Sequence, residues 1–344
     1  MKQLTEYDQS AVKVAFATYN NILKFHNDRE DAALSTMPAD GVLYHYTTPD
    51  GLKGIIEKKE LWATSAYFLN DPAEITYGYN LLKDVLEGWL TESTLPADSL
   101  AVALAKDLRK SFGEDLLSRK VINPIYLACF CEEGNLLSQW RAYGQSGGYS
   151  IGFRVPRPST ISLGQGFTPE PNVYTSKWAR VEYDKNEQIK QCRAVLDSIL
   201  AFFAERGTTE AIRAVDDHPL VSYQCFLRVV QDILLEELVH FKHEAFRVEK
   251  EWRVIVRRRE LTKQGTDDGG KTPVPVHFRT GRGMLIPYVR LIPTDPPNKT
   301  LPIQCIRTGP TLEKTTAAMA LIMLLEKCGY PPICVEGSDI AVIL

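Results

Sequence analysis

Short apolar runs with strand character do not alternate regularly with helical segments in this chain, and their order limits the folds available to it. Such runs occur at 41–47, 61–68, 124–131, 148–155, 177–183, 251–258, 284–292 and 301–307. Apolar residues recur at helical spacing in 10–25, 48–59, 71–90, 98–112, 187–205, 219–242 and 311–328. A doubly wound nucleotide-binding fold requires regular alternation and a glycine-rich phosphate loop after its first strand, and the sequence has neither. The order therefore predicts an α+β fold.

The domain organisation follows from the same pattern. Residues 1–40 are predicted to form an N-terminal helix and a polar linker, the linker lying at 26–40. Residues 41–344 are predicted to form a single α+β domain, in which the two long helical patterns make an insertion at about 184–245. A chain of 344 residues can bury a substantial core as one large domain or as two smaller ones.

Charge, hydropathy and cysteine usage exclude several classes of protein. The formal net charge of −3 gives no overall attraction to nucleic acid or to an anionic membrane. No apolar run approaches the roughly 18–20 residues that span a bilayer, and the first residues lack the apolar stretch of a signal peptide. The seven cysteines are scattered, several within apolar runs, which is typical of reduced thiols. We therefore expect a cytoplasmic protein with no membrane association.

Three motif-like patterns fail on spacing or context. Gly144–Gly148 matches G-x-S-x-G, but a strand-like run follows it where a nucleophile elbow requires a helix. Cys129-x-Cys131 does not have the spacing of a zinc knuckle, and His240-x-x-His243 has no evident third ligand. The sequence therefore predicts neither a serine nucleophile nor a metal site.

The first of three segments that carry candidate chemistry is His45-Tyr46-Thr47, at the end of the first predicted strand. Side chains alternate along a strand, so His45 and Thr47 share one face while Tyr46 lies on the other. A face with an imidazole and a hydroxyl can contact a ligand. The alternative is a histidine that is hydrogen-bonded within the core.

The second segment is Gln139-Trp140-Arg141. Arginine binds phosphate groups through its planar fork, and tryptophan can stack on a base or on a nicotinamide ring. This composition favours a nucleotide site. The alternative is an amphipathic turn in which Arg141 makes an ordinary ion pair.

The third segment is Glu249–Arg253, at the start of an apolar strand. Glu249 and Glu251 are at i and i+2 and Arg253 continues the series, so all three are predicted to lie on one face. Two close carboxylates raise each other's proton affinity, which suits acid–base catalysis, and Arg253 can pair with one of them. The alternative is a charged edge strand that resists aggregation.

Together these segments resemble a bacterial family catalogued as a domain of unknown function. The resemblance lies in the array HYT, LNDPAE, SQWRAYG and EKEWR, and it covers most of 41–330. It implies no activity.

Two of the segments are also similar to signatures of the ADP-ribosyltransferase superfamily. Those enzymes open with a strand bearing His or Arg and a helix, as His45-Tyr46-Thr47 and the segment to Lys59 do here. Glu249-Lys250-Glu251 resembles their glutamate-x-glutamate signature at a later strand. Their middle signature has two candidate positions in this chain, Thr64–Tyr67 and Ser138-Gln139.

The second resemblance implies a split β-sheet core with flanking helices, an NAD substrate and no metal. His45 and Thr47 would contact ribose and carboxamide, and Arg141 would lie near the pyrophosphate. Glu251 would stabilise an oxocarbenium-like transition state as the nicotinamide–ribose bond breaks, and Glu249 would orient or deprotonate the acceptor. The acceptor stays open between protein, nucleic acid, a small molecule and water. The remaining residues assigned to substrate binding are Tyr46, Gln139, Trp140 and Arg253.

Two alternatives belong to other functional classes. A catalytically inactive nucleotide-binding module would keep the arginine and the aromatic residues without depending on Glu251. A nucleic-acid-binding module would use a basic cluster interleaved with aromatic residues. Either module would suit a bacterial toxin or phage-defence system. The basic cluster comprises Lys242, Arg247, Arg253, Arg257, Arg258 and Arg259.

Overall fold

A computed structural model describes most of the chain. The described residues are 29–71, 73–114, 125–144, 147–155, 167–169, 177–204, 227, 230–231, 233–257, 275–293, 300–310 and 313–340. They divide into two compact units. One contains Asn70–Asn123 and Glu182–Glu244, and the other contains Glu30–Leu69, Pro124–Val181 and Ala245–Leu344. This division differs from the predicted single domain, although the predicted helical insertion coincides with one of its segments.

The regular elements are numbered in chain order. The helices are α1 (Pro49–Lys58), α2 (Ala73–Glu92), α3 (Leu100–Glu114), α4 (Lys185–Ala204) and α5 (Lys314–Lys327). The strands are β1 (Val42–Thr47), β2 (Leu61–Ser65), β3 (Ile125–Cys131), β4 (Tyr149–Arg154), β5 (Phe167–Pro169), β6 (Lys177–Arg180), β7 (Glu251–Arg257), β8 (His277–Gly281), β9 (Met284–Pro293), β10 (Ile303–Thr308) and β11 (Cys334–Gly337).

All of these strands belong to the second unit and form one sheet. Its main path runs β11-β10-β4-β1-β3-β2-β9-β5, with β7 on the other edge of β3, β6 beyond β7, and β8 paired with β9. Apart from the parallel pair of β10 and β11, the strand pairs are antiparallel. The predicted α+β class is therefore confirmed as a mixed fold with a mostly antiparallel sheet.

The sheet splits along one edge of β3. Strand β7 pairs with β3 over its full length, so β1 and β2 share the opposite edge. There β1 pairs only at Cys131, through Tyr44, whereas β2 pairs at Tyr126 and Leu127. Between these two points the neighbour of β3 on this edge changes from β1 to β2. The site described below lies at the gap between β1 and β2.

The two faces of the sheet have different coverings. One face carries the main hydrophobic core, which includes Leu43, Phe130 and Trp252 together with Ile56 from α1 and Leu321 from α5. The opposite face carries a small cluster of buried side chains. That cluster comprises Tyr46, Cys131 and Trp140.

Helix α1 begins where its sequence signals predict. Thr48 accepts a hydrogen bond from the Gly51 backbone N–H, and Pro49 occupies the first turn. A Cβ atom at Gly51 would lie 2.0 Å from Thr47 Oγ1, so only glycine allows the helix to start this close to the end of β1. The apolar stripe that includes Ile56 then fixes the helix to the core.

The first unit is helical and contains α2, α3, α4 and helical residues 233–238. The Tyr77 hydroxyl donates to Gln188 Oε1 at 2.7 Å, and Gln188 Nε2 donates to the carbonyls of Glu182 and Lys242. Lys242 Nζ lies 3.0 Å from Glu74 Oε1 in a buried ion pair. Polar contacts therefore connect α2 and α4 with the residues that follow 238.

Several predicted elements need correction. Residues 29–35 are helical, not linker, because Ala32 and Ala33 favour helix and Glu30 accepts a hydrogen bond from the Trp178 backbone N–H. The strand predicted at 61–68 ends at Ser65 and continues as a 3-10 turn. Strands β5, β8 and β11 have no counterpart among the predicted runs. The helix predicted at 10–25, residues 219–226 of the helix predicted at 219–242, and Gln145 and Ser146 lie outside the described residues.

None of the helices within the described residues combines the length and the apolar character that crossing a membrane requires.

Candidate functional site

His45 lies at the split in the sheet. Tyr44 is the last residue of β1 that pairs with β3, and beyond it the two strands separate. The His45 side chain turns into the gap, where its Nδ1 atom lies 2.9 Å from the Cys129 carbonyl oxygen. A side-chain hydrogen bond thus replaces the strand–strand bond that the separation removes.

This hydrogen bond defines the protonation of the ring. A carbonyl oxygen only accepts, so Nδ1 carries the hydrogen, and burial lowers the pKa of His45. The neutral imidazole therefore presents Nε2 as a lone-pair acceptor. The ring is half-buried, and Nε2 has no hydrogen-bond partner within the part of the chain that the structure describes.

Tyr46 projects to the opposite face and is held in place by its neighbours. Its hydroxyl donates to the Glu133 carbonyl and accepts from the Leu136 backbone N–H, both at 2.8 Å. Its ring meets the Trp140 ring edge-on, with centroids 4.8 Å apart. Burial raises the pKa of Tyr46. With both of these hydrogen bonds made, Tyr46 anchors the segment after β3.

Gln139 and Trp140 belong to a short helical turn over Leu137–Gly144, and both are buried. Trp140 Nε1 donates to Asn135 Oδ1 at 3.0 Å, and the Ser338 hydroxyl donates to the same oxygen at 2.7 Å. A Cβ atom at Gly309 would lie 3.0 Å from the Trp140 ring. Trp140 is therefore packed between Tyr46 and Gly309, and it orders the turn.

Arg141 belongs to the same turn and is exposed. No ion pair of its guanidinium occurs among the residues that the structure describes. Trp140, its neighbour in sequence, contacts Tyr46, which is adjacent to His45. The turn therefore places Arg141 near the end of β1, on the face of the sheet opposite His45, and its exposed guanidinium is accessible there.

Glu249 and Glu251 do not share a strand face, which corrects the sequence-based expectation. Glu249 ends a 3-10 helix over Glu244–Glu249, and Lys250 has a left-handed φ of 42°. Strand β7 begins only at Glu251. The alternation that would align the two carboxylates therefore does not apply to Glu249.

Glu251 and Arg253 form a buried ion pair. Arg253 Nε lies 2.7 Å from Glu251 Oε1, and Arg253 Nη2 lies 3.1 Å from Oε2. The Arg253 and Glu251 side chains are only 2% and 5% exposed. The predicted pairing is confirmed, and it is buried on both sides.

The three segments meet on adjacent strands, but their side chains do not share one face. Tyr44 is in register with Cys131, which is in register with Glu251, so these three project to one face. His45 follows Tyr44 and projects to the other face, where its ring lies 5.7 Å from Phe130. The side chains of His45 and Glu251, which the second resemblance assigns to one NAD molecule, therefore do not share a face of the sheet.

The basic cluster is not a continuous surface either. Lys242 is buried in its ion pair with Glu74, and Arg253 is buried in its pair with Glu251. These two cations are unavailable to phosphates. Among the described residues, no group of three or more His, Cys, Asp or Glu side chains is placed to hold a metal ion.

Sequence analysis missed two contributors to this arrangement. Asn135 connects Trp140 to Ser338, and Gly309 makes room for the Trp140 ring. Both act through contacts that are distant in sequence, so no local pattern marks them.

Comparisons with known proteins give one match. No curated protein and no solved structure matches the chain. Residues 139–254 match the model of a family described as "Protein of unknown function (DUF2971)". The matched range contains the turn with Trp140 and the ion pair of Glu251 and Arg253, whereas His45 precedes it. Over residues 139–254 the chain is thus similar to this family of unknown function, as its sequence landmarks predicted.

Proposed function

We propose that this protein binds a nucleotide at the split in its sheet, with His45 as the central contact. The observation that carries the proposal is the fixed state of the His45 ring. It is neutral and half-buried, its Nδ1–H is used by the Cys129 carbonyl, and Nε2 is left as an acceptor.

The chemistry of the surroundings suits a ribose and its phosphates. An imidazole Nε2 acceptor pairs with a donor such as a ribose hydroxyl. The exposed guanidinium of Arg141 offers the planar fork that phosphate oxygens bind. Trp140 is packed between Tyr46 and Gly309, so its role in the proposal is to position Arg141.

Binding without turnover is favoured by the state of Glu251. A catalytic glutamate must offer its carboxylate to the reacting ribose. Here both carboxylate oxygens accept from Arg253 in a buried pair. Reaching a ligand at His45 would require Glu251 to leave a buried partner, which is strongly unfavourable.

ADP-ribosyl transfer from NAD is the second candidate function, and the split itself favours it. The resemblance to ADP-ribosyltransferases implies a split sheet with a histidine on its first strand. Residue His45 occupies such a gap between β1 and β2. In this proposal Glu251 would exchange Arg253 for the developing positive charge of the nicotinamide ribose, and Glu249 would prepare a protein or nucleic acid acceptor.

Isothermal titration with NAD, NADP and ADP-ribose tests the binding proposal. His45→Ala should weaken the affinity about three- to tenfold, as expected for one hydrogen bond. It should also lower the melting temperature, because the Cys129 carbonyl loses its donor, so affinities are compared at a temperature where both proteins are folded. His277→Ala is the matched control, because this half-buried histidine lies on β8. Equal affinities for wild type and His45→Ala would place the ligand elsewhere.

Nicotinamide release from NAD distinguishes the two candidates. Purified protein is assayed alone and with cell lysate as a source of acceptors. The binding module predicts nucleotide affinity without release of nicotinamide. The transferase proposal predicts instead that the wild type releases nicotinamide and that Glu251→Gln does not, at an unchanged melting temperature.

A further inference from the structure

Two cysteines face each other on neighbouring strands at the edge of the sheet. Cys305 on β10 and Cys334 on β11 are register partners in the parallel pair. Directly opposed residues project to the same face, so the two thiols lie side by side. Both are free thiols in this structure, Cys334 exposed and Cys305 half-buried.

The backbone already has the spacing that a disulfide needs. Neighbouring strands lie about 4.7–4.9 Å apart. This separation falls within the Cα–Cα range of about 4.4–6.8 Å that disulfides occupy. Closure therefore requires rotation of two side chains and no movement of the strands.

The present contacts of the two thiols are weak and replaceable. Cys305 Sγ lies 4.0 Å from the Tyr44 hydroxyl, and Cys334 Sγ lies 3.7 Å from Glu336 Oε1. A Cβ atom at Gly152 would lie 2.7 Å from Cys305 Sγ, so this sulfur lies over the glycine of β4. Disulfide formation therefore requires the Cys305 side chain to rotate from Gly152 toward Cys334.

We propose that Cys305 and Cys334 form a modification site that closes to an intramolecular disulfide when the protein meets a two-electron oxidant of the disulfide or diazene class. One thiolate attacks the oxidant, and the second displaces the reduced carrier to form the S–S bond. The two cysteines lose two protons and two electrons, and the oxidant gains them as two thiols or as a hydrazine.

Closure would fix the edge of the sheet. Strand β11 has only four residues and pairs with β10 alone. The disulfide would also close the loop that contains α5, which lies between the two strands in sequence. Linking β11 to β10 should therefore suppress fraying at this edge.

Closure should be slow at neutral pH and faster in alkali. Burial raises the pKa of both thiols, and the nearby Glu336 carboxylate adds to the effect. Below those pKa values the thiolate fraction rises about tenfold for each pH unit. The rate of disulfide formation should follow this fraction. In this respect the pair differs from an activated sensor cysteine, whose pKa is lowered.

The test treats the full-length protein with diamide, counts remaining thiols, and maps disulfides in tryptic digests by mass spectrometry. Trypsin places Cys305 within 300–307 but leaves Cys328 and Cys334 together in 328–344. Cys328→Ser is therefore the background for mapping. We expect a 300–307 to 328–344 link in that variant, together with a rise of several degrees in melting temperature that dithiothreitol reverses.

Two further variants complete the test. Cys305→Ser and Cys334→Ser, each with its melting curve recorded under reducing conditions, should each abolish both the link and the shift. A digest in which Cys305 remains free in folded protein would overturn the proposal. So would a link of Cys305 to another cysteine, or one found only between molecules.

Discussion

The His45 ring donates from Nδ1 to the Cys129 carbonyl across a 2.9 Å gap where β1 and β3 have separated. One contact thus satisfies a backbone carbonyl at the split and fixes the tautomer of the ring. Because the same contact leaves Nε2 as an acceptor, the feature that completes the fold also creates the candidate ligand contact.

His45 should make stability depend on pH. Burial lowers its folded-state pKa below 6.5, so the unfolded chain binds a proton that the folded state does not. Its contribution to stability is present above about pH 6.5 and is lost as the pH falls toward the folded-state pKa. The slope from this group cannot exceed about 1.4 kcal/mol per pH unit.

Urea unfolding of wild type and His45→Gln at pH 7.5 and pH 5.5 measures this effect. The change in unfolding free energy between the two pH values is compared for the two proteins. The other titrating groups are common to both proteins, so their contributions cancel in this comparison. We expect wild type to lose more stability than the variant on acidification. Parallel losses would show that His45 titrates with its ordinary pKa.

Glu251→Gln should destabilise the fold. It leaves the Arg253 guanidinium, 2% exposed, without its paired charge, and breaking a buried pair costs about 3–5 kcal/mol. Glu336→Gln is the matched control, because the Arg307–Glu336 pair is partly exposed and should contribute about 1 kcal/mol or less. Chemical denaturation compares the two. A Glu251→Gln protein as stable as wild type would return Glu251 to the list of catalytic candidates.

Gly309→Ala should disturb the turn that holds Arg141. The new Cβ would lie 2.9 Å from the Gly148 carbonyl oxygen and 3.0 Å from the Trp140 ring, and overpacking of this kind costs about 1–3 kcal/mol. Gly54→Ala in α1 meets nothing within 4 Å and should instead stabilise by up to about 1 kcal/mol. Shifts of the same sign in the two melting curves would contradict the assigned packing.

Arg141→Ala should weaken nucleotide binding without affecting the fold. Its guanidinium is exposed, so truncation removes no core contact. Loss of one charge-assisted hydrogen bond to a phosphate costs about 1.5–3 kcal/mol, which corresponds to roughly 10- to 150-fold in Kd. Titration calorimetry with ADP-ribose measures the change, and Arg154→Ala, at an exposed arginine of β4, serves as the control. An equal effect of both variants would indicate general electrostatic attraction.

Local patterns predicted the elements whose signals lie within a few residues. The helix at 48–59 and the strands at 41–47, 124–131 and 251–258 were all predicted, because each pattern depends on neighbouring side chains. The ion pair of Glu251 and Arg253 was also predicted, since an i, i+2 spacing within a strand is a local relationship.

The local patterns did not predict how segments distant in sequence are placed relative to one another. Glu249 was assigned to the β7 face because the left-handed backbone of Lys250 leaves no clear mark in the sequence. His45 and Glu251 were expected to converge, but their faces depend on the register of β1, β3 and β7, which is set by pairing across the sheet. Trp140 was assigned to ligand stacking because its burial between Tyr46 and Gly309 is a tertiary contact.

The most direct test of the central claim is the nitrogen NMR spectrum of the His45 ring, titrated with NAD. The chain has six histidines, so His45→Gln assigns the resonances by loss of one set. We expect a neutral ring protonated at Nδ1, with an Nε2 resonance that moves as NAD saturates the protein while Nδ1 stays protonated. A ring protonated at Nε2, or an Nε2 resonance unchanged at saturating NAD, would contradict the proposal that His45 is the nucleotide contact.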